Sequence, residues 1–197
     1  MKSPRSKYAM LGMLSIRPMS GYDIKKAVEG SINYFWTESY GQIYPMLKSL
    51  VAERLVTKTV KKQAGRPDRH VYALTARGRK ELHGWLAGRV MPTVERNELL
   101  LKLFFGEETS IIVNIKHIEE YRKLQKERHE AIRAIEQIIK SQHAESVDAP
   151  YWLMTVNYGK KITEARIDWC DETLARLNRM MRANPKPATR SVSESST

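Results

Sequence analysis

The chain has 197 residues, with 34 Lys+Arg against 22 Asp+Glu, a formal charge of +12 and a pI near 9.8. A hydrophobic content of 42% with four Trp excludes general disorder, and a single cysteine excludes an intramolecular disulfide framework or a multi-cysteine metal site. The excess charge is confined. Residues 1–92 hold 17 Lys+Arg and 6 Asp+Glu, a net of +11, whereas residues 93–197 hold 17 and 16, a net of +1. One half is built for a polyanion and the other for something else, with nucleic acid the first candidate and an anionic membrane the second.

Lys2, Arg5 and Lys7 precede the apolar run 8–16, as in a secretory leader. Arg17-Pro18 cuts that run short and no small-residue cleavage site follows, so a buried first helix over residues 5–16 is expected. Ser20 caps a second helix, with Asp23 in its first turn, Tyr22, Ile24, Ala27 and Val28 along it and Gly30 as its stop. Residues 31–38, with Tyr34-Phe35-Trp36, read as a packed aromatic connector. A third helix runs from about residues 39–41 to Arg54, with Ile43, Leu47, Leu50 and Val51 at helical spacing. Pro45 removes a backbone donor there and is expected to delay or bend its start. The period then changes: residues 56–60 and 70–74 are β-branched and alternating, joined by a basic turn at 61–69, a two-stranded hairpin with a long flexible tip. Thr75 caps a fourth helix expected to bury Leu82, Trp85 and Leu86. Helix, helix, helix, hairpin, helix is the plan of a winged helix-turn-helix domain, expected over residues 1–90.

The second half is expected to be all helix. Met91-Pro92-Thr93 makes a break, and residues 95–105 form a short apolar helix. A long helix from Thr109 to about His143 spaces Ile111, Ile115, Ile118, Ile132, Ile135, Ile138 and Ile139 by threes and fours. Pro150 breaks the chain again. The last helix carries Val156, Thr163, Ile167, Cys170, Leu174, Leu177 and Met181 near a heptad seam. Helices this long in so small a chain are expected to bury their stripes against a second copy, which assigns Ile167, Cys170, Leu174, Leu177 and Met181 to a homodimer interface. The fold class is therefore mainly α with a small β-hairpin: a winged helix-turn-helix domain, a helical dimerisation domain over 91–182, and a Ser/Pro-rich disordered tail over 183–197. No stretch approaches the ~20 apolar residues of a membrane span, and a cytoplasmic location is expected.

A helix entering the major groove places its N-terminal residues against base edges. Ser39, Tyr40 and Gln42 hold that end of the third helix, with Lys48 further along for phosphate. Gln can bond adenine through both amide atoms. Tyr44 suits core or contact equally. Ser20 and Tyr22 open the preceding helix, where free amides and a hydroxyl can hold a phosphate or Ser20 can serve as a cap alone. Lys61, Lys62, Arg66 and Arg69 put four cations on the hairpin turn, within reach of the DNA backbone or the adjacent minor groove. A charged turn is by itself often only a solvated loop, and the segregation of charge is what lifts the nucleic-acid reading. His70, His83, His117, His129 and His143 form no pair at metal-ligand spacing, and Cys170 falls on an apolar stripe. No phosphate loop, nucleophile elbow or paired-carboxylate motif is present, so neither an enzyme nor a metal or cofactor site is expected.

These residues resemble the PadR family of bacterial transcriptional regulators. The matching stretches are Tyr8-Ala9-Met10-Leu11-Gly12-Met13-Leu14, Ser20-Gly21-Tyr22-Asp23-Ile24, Gln42-Ile43-Tyr44-Pro45-Met46-Leu47-Lys48-Ser49-Leu50, Gly65-Arg66-Pro67-Asp68-Arg69 and Tyr72-Ala73-Leu74-Thr75-Ala76-Arg77-Gly78. More loosely, Glu98-Leu99-Leu100-Leu101-Lys102-Leu103-Phe104-Phe105 is similar to the C-terminal domain of the branch that holds phenolic-acid repressors and a virulence activator. Arg54 stands where many members have glycine. The resemblance implies a homodimer, more often a repressor, bound to double-stranded DNA at a palindromic promoter operator and released by a small aromatic effector such as a phenolic acid. It directs attention for that effector to Tyr22, Glu98, Tyr151 and Trp152. The rival readings are a nonspecific architectural DNA- or RNA-binding protein and a basic membrane adaptor. The first is distinguished by its specificity ratio; the second needs an exposed basic amphipathic helix, whereas the cations here sit on a hairpin.

Overall fold

The computed structural model describes residues 4–63, 66–91 and 96–183. The chain divides into two compact units, Met1–Thr93 and Val94–Thr197. The expected tail lies outside the described residues beyond Ala183, as do Pro92 and Thr93 of the expected break.

In the first unit, α1 (Pro4–Ile16) sends Met10, Leu11, Met13 and Leu14 into the core. After Arg17-Pro18 the chain makes β1 (Met19–Ser20), a third strand that the sequence did not announce because two residues carry no periodicity. Ser20 then caps α2 (Gly21–Glu29), which turns Ile24 and Val28 inward. In the connector, the Trp36 indole donates to the buried Glu38 carboxylate at 2.7 Å.

α3 (Tyr40–Ala52) contributes Ile43, Met46, Leu47 and Leu50 to the core. Pro45 does not delay its start, contrary to expectation. Pro45 is the sixth residue of the helix, and the one intrahelical bond it forgoes is to the carbonyl of exposed Gly41, which solvent can satisfy. The other end is a Schellman turn. Arg54 takes φ 58°, its N–H bonds the Val51 carbonyl at 3.0 Å, and the Leu55 N–H bonds Leu50 at 2.9 Å. That left-handed residue is why glycine suits position 54.

The hairpin is more strand and less turn than expected. β2 (Val56–Gln63) and β3 (Arg66–Leu74) pair antiparallel down to Gln63↔Arg66, and β1 pairs β3 through Met19↔Tyr72 and Ser20↔Val71, giving the order β1-β3-β2. Lys61 and Arg69 are thus ladder partners rather than turn residues. The register slips between Lys61 and Gln63, a bulge that absorbs Pro67, which has no N–H to give the ladder. Thr75 caps α4 (Ala76–Leu86), accepting from the Gly78 N–H at 2.9 Å. Of the face expected to be buried, only Leu82 is. Trp85 is 44% exposed and lies flat on Tyr8 at 4.6 Å between centroids, and Leu86, in the helix's last position, is 63% exposed.

The second unit holds α5 (Glu98–Phe104), a 3-10 turn (Gly106–Glu108), α6 (Ile111–Gln142) and α7 (Ala149–Ala183). Asn97 caps α5 and Ser110 caps α6, so both start later than expected; Glu95 lies outside the described residues. Pro150 sits in the first turn of α7, where its missing N–H costs nothing. The two long helices bury residues at a step of seven: Ile118, Gln125, Ile132 and Ile139 on α6, Ala149, Val156, Thr163, Cys170 and Leu177 on α7. Such a step winds two helices into a left-handed coil.

This pairing takes three of the five residues assigned to the dimer seam. Cys170, Leu174 and Leu177 are buried inside one protomer, against Ile118 with Leu99, Leu103, Ile111, Ile115, Tyr121 and Trp169 around them. Ile167 is half-buried, and Met181 lies on the exposed side. Folding back of the chain satisfies the stripes that seemed to require a second copy. Ile138, expected on the apolar stripe, is 45% exposed.

Candidate nucleic-acid interface

Three elements of the first unit present polar groups to solvent. On α3, Gly41, Tyr44, Pro45 and Lys48 recur at spacings of three and four and form the exposed face, opposite Ile43, Leu47 and Leu50. Gln42 lies beside them, but its side-chain oxygen accepts from the Ser39 N–H and the Ser39 hydroxyl, both at 3.1 Å. Ser39-x-x-Gln42 is a capping pair, a signal present in the sequence and read there only as base-reading chemistry. Bidentate bonding to adenine needs that oxygen as acceptor, so Gln42 as it stands offers its NH2 alone. Tyr40 opens the helix; its side chain lies outside what is described.

Tyr44 is neither core nor free contact. Its ring covers the start of α2 so closely that a Cβ on Gly21 would sit 2.7 Å from its Cε1, so a larger residue there would push the ring aside. Half of the ring remains exposed. Burial, with Tyr44 beside it, pushes the Tyr72 hydroxyl above the usual phenol range.

At the start of α2, the Ser20 N–H and hydroxyl both bond the Asp23 carboxylate, at 2.9 and 2.8 Å. Ser20 is thus committed to the cap. Tyr22 is half-exposed with the Lys26 ammonium 5.1 Å from its ring centroid. Asp23 also takes an ion pair from the Arg69 guanidinium on β3. Partial burial would raise its carboxyl, but the bonds from Ser20 and Arg69 hold it below the usual carboxylate range.

The wing brings Lys61, Lys62 and Arg69 together on its outer half; Arg66 begins β3, and its side chain lies outside what is described. Lys48, Lys61 and Lys62 are exposed and make no ion pair with a described residue. The described carboxylates of this unit, by contrast, are occupied. Asp23 holds Arg69, Glu29 holds Lys25, Glu38 holds Trp36, and Glu53 and Glu81 share Lys7. The exposed surplus of positive charge includes Lys48 on α3 and Lys61 and Lys62 on the wing, together with Arg77, Arg79 and Lys80 on α4.

The residues singled out for an effector do not converge. Glu98 opens α5 beside the N-terminal half of α6 and pairs with Lys102 at 2.8 Å, a bond that lowers its carboxyl. Trp152 meets His143, at the far end of α6, edge-on at 5.9 Å, and Tyr151 next to it is exposed. The 32 residues of α6 span about 48 Å, so Glu98 and Trp152 stand at opposite ends of one rod. A different set does meet. Leu101, Lys102, Phe105, Thr109, Val113, Asn114 and His117 line an open cleft of about 380 Å³ between α5 and α6. Among the described residues no helix is long and apolar enough to cross a membrane.

A three-helix core with a bare third-helix face and a basic β-ribbon beside it defines a winged helix-turn-helix domain. Residues 10–84 match the PadR-like family of transcriptional regulators, and residues 95–178 match the virulence activator alpha C-terminal family. The chain belongs to the PadR-like family. The negative transcriptional regulator PadR of Bacillus subtilis is 37% identical over 100 residues, a match covering 50% of this chain and 55% of that protein. Its crystal structures superpose over 87% of this chain and 98% of their own, at 26% identity, with TM-scores of 0.74 for the complex with operator DNA and 0.69 for the complex with p-coumaric acid. A Streptococcus mutans protein is 30% identical, with a TM-score of 0.77, over 86% of this chain and 98% of its own.

Proposed function

We propose that the chain is a homodimeric repressor that binds a palindromic promoter operator, with α3 in the major groove and the wing along the phosphate backbone. The observation that carries this is the distribution of charge: the described carboxylates of the first unit are paired or capped, while Lys48 on α3 and Lys61 and Lys62 on the wing are exposed and make no ion pair with a described residue. The B. subtilis relative solved on operator DNA supports the same use of the fold. Contacts fall to Gln42, Tyr44 and Lys48 on α3, to Ser39 and Tyr40 at its start, to Tyr22 on α2, and to Lys61, Lys62 and Arg66 on the wing.

The dimer face moves from the seam of α7 to apolar surface that the protomer leaves open outside the cleft: Leu100, Phe104 and Ile112 near the start of the unit, with Phe104 80% exposed. Two copies put two basic heads on one molecule, as a palindrome requires. For the effector, the cleft between α5 and α6 replaces the scattered set. It has apolar walls in Leu101, Phe105 and Val113 and two nitrogen groups in Lys102 and His117, which suit an aromatic carboxylate of the kind bound to the B. subtilis relative.

The test is binding of the full chain to its own upstream region, measured against a shuffled duplex, with and without p-coumaric acid. A preference of about 10³-fold or more identifies a regulator. Equal binding to both duplexes identifies an architectural protein instead.

A further inference from the structure

Resting on the DNA-binding reading, we propose that Arg69 is a positioning residue and not a phosphate contact: with Asp23 it clasps the wing to the helix-turn-helix. The argument starts where the sheet narrows. β1 pairs with β3 at only two positions, Met19↔Tyr72 and Ser20↔Val71, and after Ser20 the chain leaves the sheet for α2. Beyond Val71 the wing is a two-stranded ribbon, weakened further by the bulge between Lys61 and Gln63. A lone two-stranded ribbon is marginal in water.

Arg69 lies two residues beyond Val71, on the same face of the strand, at the point where the third strand has ended. Its guanidinium meets Asp23 there, at the first turn of α2. Asp23 is itself fixed by the Ser20 N–H and hydroxyl, and Ser20 is at once the last residue of β1 and the cap of α2. One carboxylate therefore joins the helix start, the third strand and the wing. A phosphate that captured Arg69 would have to displace it from this seat, whereas Lys61 and Lys62 on the same ribbon make no ion pair with a described residue.

The test compares Arg69→Ala, Asp23→Asn and the double variant with the parent chain, on a fluorescent 30-bp mixed-sequence duplex between 50 and 200 mM salt. Asn at 23 keeps an acceptor for the cap and removes only the charge. Each single variant is expected to weaken binding by about five- to tenfold, with no change in the salt slope and no further loss in the double variant. Arg69→Lys, which keeps the charge, recovers part of the loss. A slope smaller by about one in Arg69→Ala alone would make Arg69 a phosphate contact and overturn the proposal. Losses that multiply in the double variant would overturn it too. Hydrogen exchange of the β2 amides gives a reading without DNA. Equal, non-additive acceleration in the variants supports the clasp even if the parent binds no duplex, and unchanged exchange refutes it.

Discussion

Gly78 and Gly84 both lie on α4, yet replacing each with alanine is expected to act in opposite directions. A Cβ at position 78 would stand 2.1 Å from the Leu55 carbonyl oxygen and 2.8 Å from Leu74 Cδ1, where 3.4 Å is an ordinary contact. The start of α4 must retreat by more than 1 Å to make room. That retreat breaks the bonds seating α4 on the turn after α3: Thr75 N–H to the Leu55 carbonyl at 3.1 Å, and the Thr75 hydroxyl to the Leu55 and Arg54 carbonyls at 2.9 and 3.0 Å. A lost cap costs about 1 kcal/mol, a lost backbone bond about 1 and overpacking about 1–3, against about 1 returned by the better helix former. The net for Gly78→Ala is a loss of about 2–4 kcal/mol, equivalent to roughly 10–20 °C in the melting temperature of a domain this size. Nothing lies within 4 Å of a Cβ at position 84, so Gly84→Ala is expected to gain about 1 kcal/mol. Thermal unfolding followed by fluorescence in a Trp152→Phe, Trp169→Phe background, which leaves Trp36 and Trp85 as reporters, reads both. If Gly78→Ala melts within 2 °C of the parent, the close approach of α4 to Leu55 is not what excludes a side chain at position 78.

Arg54→Gly is expected to stabilise by about 0.5–1 kcal/mol, since a left-handed residue with a side chain costs about 1–2 and glycine returns part of that as unfolded-chain entropy; the urea midpoint should rise. Gln125 is fully buried at a heptad position and neither amide atom meets a hydrogen-bond partner among the described residues, so Gln125→Leu should raise the stability of the α6–α7 pair by about 1–3 kcal/mol in chemical denaturation. Glu136 bonds Lys140 and Lys160, each at 2.8 Å, and these ammonium groups hold its carboxyl down at about 2. A depressed carboxyl stabilises above its unfolded value near 4.5 and loses that contribution as pH falls through 2. The deficit of Glu136→Gln, about 1 kcal/mol at pH 7, should therefore shrink steadily between pH 4.5 and 2. A deficit that persists undiminished at pH 2 would mean the amide costs packing and not charge.

Legibility of the sequence depended on whether a pattern was local. The capped starts at Ser20 and Thr75, the stripes of α3 and α6 and the alternation in β2 and β3 are fixed by neighbours two to four residues away, and they could be read. β1 could not, because a two-residue strand exists only through its partner on β3. Trp85 and Leu86 looked like a buried face because spacing reports which side of a helix is apolar, not what covers it. The same limit misplaced Cys170, Leu174 and Leu177. A heptad stripe is equally satisfied by a second copy and by the chain folding back, and composition does not choose between them. Within the interface, Arg69 and Gln42 read as free chemistry because their partners, Asp23 and Ser39, were read only for their own roles.

The seven-residue step shared by α6 and α7 has a bearing on how the second unit can change size. Removing one heptad from each arm at the same level, about 10 Å of rod, leaves every remaining buried position facing its old neighbours. Removing four residues from one arm would turn its apolar stripe partly outward and open the pair. The reach of this unit can therefore vary between relatives only in matched increments, as a ruler is cut at its marks.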